Sequence, residues 1–126
     1  MGEGYVLVCI SNGRYVEFPA DKLGEILCNK LECQIATAFI MLNSHNITEG
    51  RRYAFVGKST FYDEKKKLYE ELTDATAEVL AYLIEQDCVD INNLGIFDSG
   101  WIYKKFEKAG MLDELKEILS RKEGEK

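Results

Sequence analysis

The chain predicts an α+β fold: a small antiparallel sheet, started by an N-terminal β-hairpin over residues 5–18, with a long helix over 63–87 and a C-terminal helical hairpin packed on it. Three observations carry this expectation. Strand-favouring residues flank Asn12-Gly13, apolar residues recur at helical spacing between Leu68 and Leu83, and Gly110 divides the segment from Trp101 to Arg121 into two helical stretches.

The hairpin is the first element. Tyr5-Val6-Leu7-Val8-Cys9-Ile10 and Arg14-Tyr15-Val16-Glu17-Phe18 are rich in β-branched and aromatic residues. Asn-Gly suits a tight type I′ turn, because both central residues there need positive φ. Pairing across that turn sets Cys9 opposite Val16 and Leu7 opposite Phe18 on one face, with Val6, Val8, Ile10 and Tyr15 on the other. Both faces are mostly apolar, so each is expected to be covered, by helices or by a second copy of the chain.

Pro19 ends the second strand, and Asp21 is placed to cap a helix. Leu23, Leu27, Leu31, Ile35 and Phe39 then recur every four residues, which predicts one helix over 22–43. A competing pattern breaks near Cys33 and makes 34–42 a buried strand. Alanine and methionine favour the helix; Ile35, Thr37 and Ile40 favour the strand. Residues 43–50 read as a loop, and Arg52-Tyr53-Ala54-Phe55-Val56 as a third strand closing at Gly57.

For the 63–87 helix, Asp63 and Glu64 suit the positive N-terminal end, and Leu68, Leu72, Ala75, Val79 and Leu83 mark the buried stripe. A turn over Asp90–Asn93 follows. Asp98 or Ser99 can cap a helix over Gly100–Lys108, Gly110 fits its stop, and Asp113–Arg121 supplies the last helix. One domain over 1–122 is expected, with 123–126 a disordered tail because it carries no apolar anchor.

Composition narrows the function classes. With 46% hydrophobic residues and a single proline the chain can build a core without disulfide or metal. It has no apolar run long enough to span a bilayer, and its acidic start does not resemble a signal peptide, so a cytoplasmic location and no membrane partner are expected. The net charge of −6 lies wholly in the second half: residues 1–62 hold six basic and six acidic side chains, and residues 63–126 hold ten and sixteen. An acidic chain starts at a disadvantage against phosphate backbones, which disfavours nucleic acid. Cys9, Cys28, Cys33 and Cys88 lack metal-ligand spacing and sit among apolar neighbours, so they are expected to be packing residues, with no metal and no cofactor.

Few residues suggest chemistry. Gly57-Lys58-Ser59-Thr60 resembles the end of a phosphate-binding loop, but Arg52 stands where its first glycine belongs and the predicted helix begins several residues later. His45, Arg51, Arg52, Lys58 and Ser59 are the candidate ligand-binding residues of a phosphoester or nucleotide site in the 43–60 region. The Lys65-Lys66-Lys67 and Lys104-Lys105-Lys108 runs have carboxylates at helical spacing and read as solvated faces. Trp101, Tyr103, Phe106 and Met111 are the candidate partner-binding residues, because large aromatics and methionine favour interfaces. With no catalytic constellation, the expected function is a non-catalytic interaction or regulatory protein acting through protein–protein contacts, as a homodimer or with another protein. The alternative is a small phosphoester- or nucleotide-binding protein or enzyme using the 43–60 residues.

Overall fold

The computed structural model describes residues 4–44, 51–64 (side chains as far as Phe61) and 72–124. Strand β1 (Tyr5–Cys9) pairs antiparallel with β2 (Arg14–Val16), as expected, but in a different register: Leu7 faces Val16, Val8 faces Tyr15 and Cys9 faces Arg14. The connection is a four-residue loop, Ile10 to Gly13. Gly13 has φ +68° and its N–H donates to the Cys9 carbonyl at 3.0 Å, while Asn12 keeps negative φ. A type I′ turn would need both residues there at positive φ. Interactions outside the hairpin hold the wider loop open. The Asn12 amide donates to the Asn43 side chain at 2.5 Å, and the Ile10 N–H donates to the Arg52 carbonyl at 2.8 Å.

The register differs by two residues, and side chains alternate with period two. The face assignments therefore survive. Leu7, Cys9, Val16 and Phe18 point into the main core, and Val6, Val8 and Tyr15 point to the other face. Ile10 is the exception, since it leaves the strand for the loop and is exposed.

Strand β3 (Tyr53–Gly57) pairs antiparallel with the other side of β1, from Tyr5 opposite Gly57 to Cys9 opposite Tyr53. The fourth strand, β4 (Thr73–Asp74), runs parallel to β2, so the sheet of order β3-β1-β2-β4 is mixed rather than wholly antiparallel. This strand also breaks the helix predicted over 63–87. Helix α3 (Lys58–Glu64) precedes it, residues 65–71 lie outside the described residues, and helix α4 is confined to Thr76–Glu85. The reason lies in the backbone. The Thr73 and Ala75 N–H groups donate to the Gly13 and Tyr15 carbonyls, both at 2.8 Å, so they complete the sheet instead of a helical turn. Asp74 then accepts from the Thr76 N–H at 2.9 Å and its hydroxyl at 2.6 Å, which turns the chain from strand to helix.

The 22–43 stretch is helical, but in two pieces: α1 (Leu23–Cys28) and α2 (Lys30–Ser44). Asn29 adopts φ −81° and ψ 136° between them, and its carbonyl accepts from the Cys33 N–H at 3.0 Å. This places 34–42 in helix. Asp21 does not cap α1; its carboxylate meets the Lys58 ammonium at 2.5 Å, and its carbonyl accepts from the Tyr5 N–H.

A 3₁₀ turn at Ile91–Asn93 leads to α5 (Ile96–Lys108) and α6 (Leu112–Gly124). Helix α5 starts four residues before Gly100, with Gly95 at its N-cap and no capping side chain. Gly110 stops it as expected. At φ +70° its N–H reaches the Glu107 carbonyl, and the Met111 N–H reaches that of Phe106. Helix α4 ends in the same geometry with Asp87, at φ 61°, in the glycine position; the Asp87 and Cys88 N–H groups donate to Ile84 and Leu83. Helix α6 runs through Gly124, taking in the first two residues of the expected tail, and residues 125–126 lie outside the described residues.

The main core joins the inner sheet face to Ile35 and Phe39 of α2, Leu80 of α4, Ile102 and Phe106 of α5, and Leu115 and Ile118 of α6. Each such side chain contributes about 1.5–3 kcal/mol by leaving water. The outer sheet face is covered by Phe61 of α3, whose ring lies 4.8 Å from that of Tyr15, with Val56 and Leu72 beside it. Among the described residues no helix is long and apolar enough to cross a membrane.

Candidate functional site

The described candidates of the 43–60 region, Arg51, Arg52, Lys58 and Ser59, do not converge. Arg51 donates from Nε to the Asn43 carbonyl at 3.1 Å, tying β3 to the end of α2. The Arg52 N–H donates to Ser11 Oγ at 2.8 Å. Lys58 and Ser59 stand beyond the opposite end of β3, in the first turn of α3. Six residues of extended chain separate Arg52 from Lys58 by roughly 20 Å. His45 lies outside the described residues.

Helix α3 begins directly after β3, earlier than the sequence suggested. That still builds no phosphate cradle. The backbone of 53–57 is taken up in the ladder with β1, the Lys58 N–H donates to the Gly4 carbonyl at 2.8 Å, and the Lys58 ammonium pairs with Asp21. A phosphate-binding loop needs those amides free to point at the ligand.

The C-terminal candidates do not form a surface patch either. Phe106 is fully buried in the main core, and Trp101 and Met111 are half-buried against it. The Lys105 ammonium stands 5.5 Å from the centre of the Trp101 ring and pairs with the buried Glu17 at 2.6 Å, so this face clamps α5 to the sheet. Tyr103 alone of the four is exposed. Phe106 turns inward because it falls one helical turn after Ile102, on the stripe that meets the core.

Two tyrosines carry shifted acidities. Burial holds the Tyr15 hydroxyl well above its ordinary value, and the carboxylates of Asp74 and Glu17 push the same way. Burial also raises Tyr53, against the opposing hydrogen bond from Ser44; its hydroxyl lies 2.9 Å from Ser44 Oγ and 3.2 Å from the Ile40 carbonyl. Both groups serve packing between sheet and helix.

An apolar surface feature lies elsewhere. A groove of about 440 Å³ runs between α1–α2 and α4, lined by Leu27, Cys33, Ala38, Met41, Tyr82 and Cys88 among others. Leu27 is 75% exposed and Met41 58%. Two of its polar lining groups are engaged with the protein's own backbone. Gln34 Nε2 donates to the Cys88 carbonyl at 3.0 Å, and Thr37 Oγ1 to that of Cys33 at 2.8 Å. Lys30 is the one charged residue among those lining it.

Three of the four cysteines border this groove. Cys28, Cys33 and Cys88 are exposed free thiols and only Cys9 is buried, so the packing expectation holds for Cys9 alone. The pattern was present in the sequence. Leu31, Ile35, Ala38 and Phe39 form the inner stripe of α2, whereas Cys33, Thr37 and Met41 recur at intervals of four on its outer face. The first stripe dominates the apolar periodicity of the segment, and the second is legible only beside it. Among the described residues no three His, Cys, Asp or Glu side chains converge as metal ligands. Chemically, the arrangement offers an apolar trough with a single cation at its rim and three thiols along it. No family model, no curated protein and no solved structure matches the chain.

Proposed function

We propose that the chain is a non-catalytic interaction or regulatory protein working through protein–protein contacts, with the groove between α1–α2 and α4 as its contact surface. The groove carries this reading. Leucine, methionine and cysteine are among the residues most often buried, yet here Leu27, Met41, Cys28, Cys33 and Cys88 lie exposed together along one trough. Grouped exposed apolar residues rimmed by polar ones mark interaction sites.

A small-molecule pocket would enclose its ligand and aim several polar groups at it. This trough is open, and Gln34 and Thr37 bond to backbone carbonyls instead. An apolar helix face or side-chain knob fits such a shape better.

The test is site-specific photo-crosslinking in cell extract, with a photoreactive aromatic residue placed at Met41 and, as control, at the exposed Glu117 of α6. A discrete protein adduct at position 41, absent at 117, is the expected result. Equal labelling at the two positions, or none, would sink the reading.

A further inference from the structure

We infer that the groove's occupant is a second copy of this chain, which inserts the start of its helix α5, Ile96-Phe97, into the trough. This rests on the interaction reading above and names the partner for that surface. Ile96 is 92% exposed and Phe97 74%, the most exposed adjacent pair of large apolar side chains among the described residues. They form a knob at the first turn of α5. A second depression, which Phe97 lines, shares Asn29, Lys30, Gln34 and Cys88 with the groove. Knob and groove therefore lie on one continuous face.

That layout is self-complementary. A twofold axis through the shared rim sends each copy's knob into the other's groove, so that residue i meets j and j meets i, as an isologous dimer requires. Charge agrees with shape. Lys30 is the charged residue lining the groove, and Asp98 follows Phe97 directly in the knob. Neither holds an ion pair among the described residues. Each knob would bring an anion to the other copy's cation. Area is adequate too. Leu27, Met41, Ile96 and Phe97 expose on the order of 600 Å² per copy, and about 1,200 Å² over two copies meets the lower bound of a stable specific interface.

The experiment is sedimentation velocity of the full chain in reducing buffer, at concentrations up to roughly 100 µM, where even a weak standard-size interface is populated. The wild type should sediment as a dimer. Phe97→Asp in the knob and Met41→Asp in the groove should each weaken association about thirtyfold or more. Both positions are exposed, so in dilute, dissociated protein the thermal transition should stay close to wild type.

A mixture of the two variants should regain part of the association, because one of the two contacts in the mixed dimer has a native knob and a native groove. Lys30→Glu and Asp98→Lys should each weaken the dimer, and the double reversal should restore it. Maleimide labelling adds a second readout. Cys28, Cys33 and Cys88 should react slowly in the dimer and fast in the variants, while buried Cys9 stays unreactive and reports an intact fold. A dimer indifferent to all four substitutions would overturn the proposal. So would a wild type that stays monomeric throughout the concentration range; a foreign protein cross-linked at position 41 would then leave the interaction reading standing and this one refuted.

Discussion

Strand β1 and helix α2 are both dense in apolar residues, yet the chain covers one completely and the other by half. Val6, Leu7, Val8 and Cys9 are buried on both sides of the sheet, by the helical layer beneath and by Phe61 of α3 above. Helix α2 buries Leu31, Ile35, Ala38 and Phe39 and leaves Cys33, Thr37, Ile40 and Met41 exposed. A strand's two faces can each be met by an element of the same chain. An outer helix has one face for the core, and the second apolar stripe of α2 meets nothing among the described residues that buries it. The difference teaches where folding ends and, on our reading, association begins.

The sharpest way to test that division is to cut equally into both stripes of α2. Phe39→Ala removes a fully buried ring and should cost about 3–5 kcal/mol in denaturant unfolding. Met41→Ala, two residues away on the outer stripe, should shift stability of the dilute protein by less than about 0.5 kcal/mol. Comparable losses at the two positions would mean that the outer stripe serves the fold.

The covered side has a polar exception, which gives the next largest effect. Glu17 is buried and meets the mostly buried Lys105 at 2.6 Å. Lys105→Met should cost about 3 kcal/mol, because it takes a paired ammonium from a buried carboxylate. The double change Glu17→Gln with Lys105→Met should recover part of that loss, and a thermal-melt double-mutant cycle reads both.

Alkaline pH probes the outer sheet face. Tyr15 titrates near 10 in an unfolded chain and higher in the fold, so the folded state holds its proton longer. Its contribution is complete below pH 10 and is lost as pH climbs from 10 towards the raised folded value. The slope is about 1.4 kcal/mol per pH unit. Tyr15→Phe should flatten that slope in chemical-denaturation curves taken between pH 9 and 11, within the usual range of such titrations. An unchanged slope would place the alkaline sensitivity elsewhere.

The smallest effect concerns the turn that delivers Cys88 to the groove. Asp87 occupies a left-handed position that glycine adopts without strain. Asp87→Gly also removes an exposed ion pair with Lys122, which is worth little. A net gain of about 0.5 kcal/mol is expected in the same unfolding assay.

What the sequence made legible follows the same division. The hairpin's faces could be read although its register could not, since period-two alternation fixes sidedness while the loop length depended on Asn43 and Arg52, far along the chain. Gly110 announced its helix stop because its backbone requirement is local; Asp87 meets the same requirement without the glycine that would have announced it. The break at Thr73–Asp74 was hidden, because its two-residue strand exists only through pairing with β2. The apparent stripe through Leu72 and Ala75 mixed residues from opposite sides of the sheet. The candidate surface was missed for a related reason. Cys88 is far along the chain from Cys28 and Cys33, and their shared groove appears only when α4 packs beside α2.

The central claim, that a protein covers this groove in the working state, is tested most directly by the maleimide reactivity of Cys33. It would be compared in dilute purified protein and in the extract from which the protein is drawn. The account predicts fast labelling when dilute and strong protection in extract, lost again in the Met41→Asp variant, with Cys9 silent throughout. Fast labelling of Cys33 under every condition would contradict it.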